Sequence, residues 1–164
     1  MLAAVNVAEK VLPVATTLND YLASSTLKVT HQLAEAFALL PAEKRDWSPG
    51  GTTRTALDQL AECVASNNYV AALLQTRVPP AFDTYQADKA TAFASGDELT
   101  ALLLTSAEKV ADVVARIPSS DWQITLETPM GEMVLADVAG VPHWNMTYHE
   151  GQINYLAAIL GVQK

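Results

Sequence analysis

The 164-residue chain has the length of one domain, and half of its residues are apolar, which excludes an intrinsically disordered protein. Ten basic against eighteen acidic residues give a net charge of −8, with no continuous basic run, so a general nucleic-acid binder is excluded too. No stretch approaches about eighteen uninterrupted apolar residues, so no membrane span is predicted. Cys63 is the only cysteine, which rules out an internal disulfide and fits the reducing cytoplasm, where we expect the protein.

The N-terminal third predicts one long helix followed by a loop. We expect residues 1–164 to form a single domain, with residues 1–12 as a loosely attached lead-in. A helix is predicted over residues 13–40, because its apolar positions keep helical spacing and a proline follows its end. Residues 43–53 are rich in turn formers and predict a loop. The expected buried stripe comprises Leu18, Tyr21, Leu22, Val29, Leu33, Ala36, Phe37 and Leu40.

Two further helices are predicted in the middle of the chain. Thr55 followed by Asp58 resembles a capping box and starts a second helix that runs to about Gln75. Residues 78–94 read as a long connection. Ser95 and Glu98 then predict a second capping box before a third helix, which Pro118 closes.

The C-terminal third predicts a hairpin and a last helix. Apolar and polar residues alternate around Trp122, Ile124 and Leu126, and residues 128–131 carry Pro and Gly at turn positions, so a short irregular hairpin is expected. The last helix is predicted over residues 136–161, kinked or broken near Pro142. The fold class is therefore all-α: a four-helix bundle with a long crossover after helix two and a short irregular hairpin before the last helix.

The last helix carries the sharpest functional pattern. Asn145, His149 and Gln152 stand at i, i+4 and i+7 on the stripe predicted to face the bundle, beside Trp144 and Tyr148. A buried polar group left unpaired costs roughly 1–3 kcal/mol. These three side chains therefore need partners, which could be each other, a water, a ligand or a metal ion.

The second helix offers Cys63 and Asn67, one turn apart at the edge of its buried face. Cys63 has two interpretations: a small core residue, or a soft metal ligand and nucleophile for which His149 would be the base. The sequence leaves open whether the two side chains meet. His31 is predicted to be solvated, and His143 to lie at the mouth of the site or on the surface.

Several segments, in order, resemble the DinB/YfiT-like superfamily of metal-dependent four-helix bundles. Residues 148–153 read Tyr-His-Glu-Gly-Gln-Ile and resemble its closing helix, and residues 55–63 resemble the helix-two segment that usually ends in the first metal-binding histidine. Leu-Pro at 40–41 with Asp-Trp-Ser-Pro at 46–49, and Thr-Pro-Met-Gly at 128–131, resemble two of its turns. The resemblance spans roughly residues 13 to 161.

The resemblance implies a bundle, commonly dimeric, with a three-histidine metal site, and relatives that are thiol-dependent transferases and isomerases. Carried over, the three ligand positions are Cys63, Asn145 and His149, of which two depart from histidine. The resemblance thus implies either no cofactor or a divalent zinc or nickel ion. A homodimer is expected from the family, with the secondary face of helix one as a plausible interface: Leu27, Ala34 and Ala38.

Two functional hypotheses follow. The favoured one is a non-catalytic small-ligand or protein-interaction module, and the predicted ligand pocket comprises five residues: Asn145, His149, Gln152, Cys63 and Asn67. The alternative is a variant metal-dependent hydrolase or thiol S-transferase that uses Cys63 and His149. Metal content and thiol reactivity distinguish the two, because a zinc thiolate is held deprotonated whereas a buried core cysteine is inert.

Overall fold

The computed structural model describes residues 17–162 and contains, within that range, five α-helices and one antiparallel hairpin. The predicted lead-in and the first turn near residue 13 lie outside the described residues. The elements in chain order are α1 (Leu18–Ala38), α2 (Ala56–Thr76), α3 (Phe82–Ala94), α4 (Leu99–Val114), β1 (Thr125–Thr128), β2 (Gly131–Val134) and α5 (Leu135–Ile159).

Four of the helices form the bundle, which confirms the predicted fold class. Helices α1 and α2 each pack against both α4 and α5, so α1 lies diagonally opposite α2, and α4 lies diagonally opposite α5. None of the helices within residues 17–162 combines the length and the apolarity that a membrane span requires.

The crossover between α2 and α4 is itself helical, which the sequence did not predict. Helix α3 fully buries only Ala92, so it lacks the apolar stripe by which a helix is recognised. Contacts with α2 hold it instead: Lys89 pairs with Asp58 at 2.7 Å, and the Asn68 amide donates to Asp88 at 3.2 Å. Tertiary packing rather than amphipathicity fixes this helix.

The helix starts are capped differently from the sequence predictions. The Thr55 side chain accepts from the Asp58 amide as expected, but the Asp58 carboxylate binds Arg54 and Lys89, so the reciprocal half of the box is missing. The predicted box at Ser95 is wrong. Its hydroxyl donates to the Ala92 carbonyl at 2.6 Å and so terminates α3 rather than starting α4.

The hairpin and the last helix meet without a gap. Strands β1 and β2 pair in a regular register from Thr125 opposite Val134 to Thr128 opposite Gly131. Gly131 has a φ of 100°, which an L side chain adopts only with strain, so glycine suits the turn. Helix α5 is continuous through Pro142, so the predicted alternative of a break is wrong.

The core consists of two apolar clusters, one toward each end of the bundle. The first includes Leu33, Phe37, Leu60, Leu103, Met146 and Ile153, and the second includes Leu22, Val70, Leu74, Val114, Trp122, Leu126 and Leu135. Four large residues placed on buried stripes by their spacing are instead exposed, because the helices present narrower faces to the core: Leu18, Tyr21, Trp144 and Tyr148. Conversely, the buried face of α5 centres on Met146 and Ile153, both fully buried.

Candidate functional site

His149 is buried on α5 with oxygen acceptors against both of its ring nitrogens. Nδ1 lies 2.9 Å from Gln152 Oε1 and 3.1 Å from Gln59 Oε1, and Nε2 lies 3.3 Å from Glu62 Oε1. The Gln59 amide nitrogen donates to the Arg54 carbonyl at 3.1 Å, which orients its oxygen toward the histidine. The imidazole is therefore held from both sides, and neither nitrogen faces an open position.

A line of alternating charges extends from Glu62 to the crossover helix. Glu62 pairs with Arg54, Arg54 also pairs with Asp58, and Asp58 pairs with Lys89 of α3. Burial alone would raise the pKa of Glu62, but the hydrogen bond with His149 and the charge of Arg54 outweigh it and hold that pKa below its ordinary value. The carboxylate is therefore ionised at neutral pH.

Cys63 contacts Asn145 rather than His149. The Asn145 amide donates to the Cys63 sulfur at 3.8 Å, whereas His149 has the oxygen partners described above, and the two residues are not hydrogen-bonded to each other. Cys63 is completely buried, and burial raises the pKa of its thiol far above the ordinary value. The side chain is thus a protonated, sequestered thiol, which is a poor nucleophile.

The other residues singled out from the sequence lie apart from this cluster. Asn67 sits deeper in the bundle, where its amide donates to Ser106 Oγ at 3.1 Å and to the Met146 sulfur at 3.7 Å. Its carbonyl oxygen is buried with no hydrogen-bond partner among the described residues. His31 is exposed as predicted, and His143 is half-buried.

The three carried-over ligand positions do not offer the donors of a catalytic metal centre. Cys63 supplies a protonated thiol, Asn145 a neutral amide, and His149 an imidazole whose two nitrogens are both engaged. Even an open catalytic zinc site normally has three good protein ligands. Within residues 17–162, no three His, Cys, Asp or Glu side chains are grouped so that they could hold a metal ion.

An apolar cavity of about 430 Å³ lies beside the cluster, between α2, α5, α3 and the tip of the hairpin. Asn145 and Glu62 line it, so it reaches the cluster that holds His149. Its other walls are mostly apolar and aromatic: Tyr69, Val70, Leu73, Phe82, Tyr85, Met130, Met133, Val138, Val141 and Trp144. A mostly apolar concavity with a few convergent polar groups is the usual form of a small-ligand site.

A second cavity, of about 580 Å³, lies on the opposite side of His149. Gln59 and Gln152, which hold Nδ1, line it together with Arg54, Tyr148 and Tyr155. His149 therefore separates the two cavities, with the glutamines on one side and Glu62 with Asn145 on the other. Of the five predicted pocket residues, Asn145 lines the first cavity and Gln152 the second.

Sequence reasoning did not single out Gln59, Glu62 or Arg54. A signal was present: the acidic Asp58 and Glu62 stand four residues apart, which places them on one face of α2, and the basic Arg54 precedes Asp58 by the same spacing. Glu62 also directly precedes Cys63, and Cys63 is the residue to which the family resemblance assigned the first metal-ligand position. The contacts of Gln59 with His149 needed the packing of α2 against α5, which no local pattern encodes.

Solved structures that share this fold include an uncharacterised bacterial protein and an isomerase. An uncharacterised protein from Clostridium difficile 630 superposes with a TM-score of 0.71 and 15% identity, over 90% of this chain and 99% of the other. The mycothiol-dependent maleylpyruvate isomerase superposes with a TM-score of 0.67 and 11% identity, over 85% of this chain and 63% of that enzyme. No family model matches the sequence, and a search of curated proteins finds no match. The chain thus shares the helical-bundle fold of these two proteins, and identities this low show the fold alone.

Proposed function

We propose that this protein is a non-catalytic, DinB-like small-ligand module in which hydrogen bonds have replaced the three-histidine metal site. The observation that carries the proposal is the state of His149, whose ring nitrogens both contact side-chain oxygens. A metal ion would have to displace Glu62 or the glutamine oxygens to reach either lone pair. Apart from the Glu62 carboxylate, which is already paired with Arg54, it would gain only a buried thiol and a neutral amide as its other ligands.

The cavity beside the cluster supplies the ligand site in this proposal. Its volume of about 430 Å³ falls within the range of small-molecule pockets, and its walls are predominantly apolar. Asn145 connects it to Cys63, and Glu62 connects it to His149. In this proposal, the hydrogen-bonded residues around His149 form the polar floor of a binding pocket.

Elemental analysis of protein purified without an affinity tag tests the proposal. We expect well under 0.1 equivalent of zinc or nickel, before and after incubation with either metal, in the wild type and in His149→Ala alike. Near-stoichiometric metal in the wild type that is lost in His149→Ala would overturn it.

A second candidate is a variant metal-dependent hydrolase or thiol S-transferase that uses Cys63 and His149. The likeness to the mycothiol-dependent maleylpyruvate isomerase favours it, although that likeness concerns the fold. The same metal analysis separates the candidates, because this second function requires the metal that the first excludes.

We also propose that the protein is a homodimer. Three large apolar side chains of α5 are exposed along one face, with exposed fractions of 54% for Tyr148, 68% for Tyr155 and 46% for Ile159. An exposed row of this kind supports an interface with a second copy. The interface expected from the sequence lay on α1, where Leu27 and Ala34 are half-buried and Ala38 is exposed.

A further inference from the structure

The cavity beside α3 is lined by fewer charged side chains than the ion-paired cluster that contains Glu62, Arg54 and Asp58. Glu62 is the only charged residue among those that line this cavity. Neither its cationic partner Arg54 nor Lys89, which pairs with Asp58, is among the lining residues. A ligand in the cavity therefore meets a carboxylate and no cation.

The pairing of Glu62 with Arg54 does not cancel this negative charge inside the cavity. Tyr85 is a lining residue, and its pKa is raised to about 12, first by burial and then by the charge of Glu62, which outweighs the opposing charge of Arg54. Tyr85 thus experiences more of the charge of Glu62 than of the charge of Arg54.

Aromatic rings form the walls around this carboxylate. Phe82 and Tyr85 of α3 stack with centroids 5.7 Å apart, and Tyr69 of α2 meets Tyr85 edge-on at 6.3 Å. Trp144 lines the α5 side and is 63% exposed, with its ring stacked on Tyr148 at a centroid distance of 5.9 Å. The face of an aromatic ring carries negative electrostatic potential and attracts organic cations.

One polar atom in this wall lacks a partner. The Tyr69 hydroxyl is shielded from solvent and has no hydrogen-bond partner among residues 17–162. An unsatisfied buried hydroxyl costs free energy unless something pairs with it. Because a hydroxyl oxygen accepts hydrogen bonds, an N–H donor on a bound ligand would satisfy it.

From these observations we propose that the cavity binds a small organic monocation, namely a primary or secondary ammonium group carried on an apolar, aromatic-sized body. The ammonium lies between the Glu62 carboxylate, the Tyr69 hydroxyl and the aromatic walls, and the apolar body packs on Leu73 and Val138. This inference rests on the proposed ligand-binding function and names its ligand class.

Isothermal titration calorimetry with three probes of matched shape tests the inference. The probes are 2-phenylethylamine, which is cationic at pH 7, the neutral 2-phenylethanol and the anionic 3-phenylpropanoate. We expect the amine to bind the wild type about tenfold more tightly than the alcohol, with the carboxylate weakest. Equal or tighter binding of the alcohol or the carboxylate would overturn the inference.

Three variants test whether Glu62 and Tyr69 cause the preference for the amine. Glu62→Gln should bring the amine-to-alcohol ratio close to one without weakening the alcohol, and Tyr69→Phe should lower amine binding several-fold. Glu108→Gln, at an exposed position on α4, is the matched control and should keep the wild-type ratio. An amine preference that survives both Glu62→Gln and Tyr69→Phe would contradict the proposal.

Failure of this inference can be told apart from failure of the proposed function. If amine and alcohol bind equally and Trp144→Ala weakens both, the cavity is a ligand site without a cation preference. If none of the three probes binds at millimolar concentration, the cation inference is wrong. Failure of the proposed function would instead be seen as stoichiometric metal in the purified protein.

Discussion

His149 is the residue that joins the two sides of the candidate site. Its ring connects two glutamine side chains to Glu62, so three residues from α2 and α5 depend on it for a hydrogen bond. Such a buried polar network stabilises the fold only while every member is paired, because the low dielectric around it makes each lost partner costly.

Removal of the His149 imidazole is expected to destabilise the fold. His149→Ala removes one hydrogen-bond partner from each of Gln59, Gln152 and Glu62, and we expect the free energy of unfolding to fall by about 2–3 kcal/mol in urea titrations. The exposed His31→Ala is the control and should change it by less than about 0.5 kcal/mol. Equal effects of the two substitutions would show that the network contributes nothing.

Glu62 should make stability depend on pH in the acid range. Its pKa in the folded protein lies below the ordinary value of 4.5, so its contribution is fully present above that value and is lost as the pH falls toward the lower folded pKa. We expect Glu62→Gln to lose less stability than the wild type between about pH 5 and pH 3. Exposed Glu108→Gln should behave as the wild type, and parallel curves for all three proteins would refute this linkage.

The thiol of Cys63 should be unreactive in the folded protein. Because burial keeps it protonated and out of reach of solvent, we expect iodoacetamide at pH 8.5 to modify it only after unfolding in urea. Mass spectrometry with and without urea measures the difference. Rapid modification of the native protein would mean an accessible thiolate and would favour the thiol-transferase candidate.

At the scale of elements, α3 is the part of the cavity wall with the least support. It fully buries one residue, Ala92, and its other contacts are polar or aromatic pairs with α2. Helices with few buried apolar contacts open more readily than core helices. Helix α3 is therefore the wall of the cavity that we expect to move most readily when a ligand binds.

Amide hydrogen exchange should reveal this difference. We expect amides of α3 to exchange at least about tenfold faster than those in the middle of α2, because local opening exposes little apolar surface. Asp58→Asn should accelerate α3 further by weakening the contact with Lys89. Equal protection of α2 and α3 would show that the crossover helix belongs to the rigid core.

The bundle could be predicted from sequence because its helices carry apolar stripes and turn residues at their ends, as residues 99–117 and Pro118 illustrate. The candidate site could be predicted only on its α5 side, where Asn145, His149 and Gln152 share one face. Glu62 and Gln59 were missed because their role depends on packing between two helices far apart in the chain. Helix α3 was also missed, because it has no apolar stripe and is held by contacts with α2.

At the scale of the whole molecule, the exposed row on α5 predicts the oligomeric state. We expect a dimer by light scattering coupled to size exclusion, and a monomer for Tyr155→Lys, which places a charge at the centre of the row. Lys substitution of exposed Ala38 on α1 is the control and should leave the dimer intact. A monomeric wild type would remove this proposal.

If hydrogen bonds around His149 stand where a metal site would lie, as we propose, the wild type should not bind zinc. Zinc titration by calorimetry, comparing the wild type with the double variant Cys63→His, Asn145→His, tests it most directly, because the variant restores histidine at both departed positions. We predict no saturable binding by the wild type at micromolar zinc and one equivalent bound by the variant. One equivalent bound by the wild type with comparable affinity would contradict the claim and restore the metalloenzyme as the leading function.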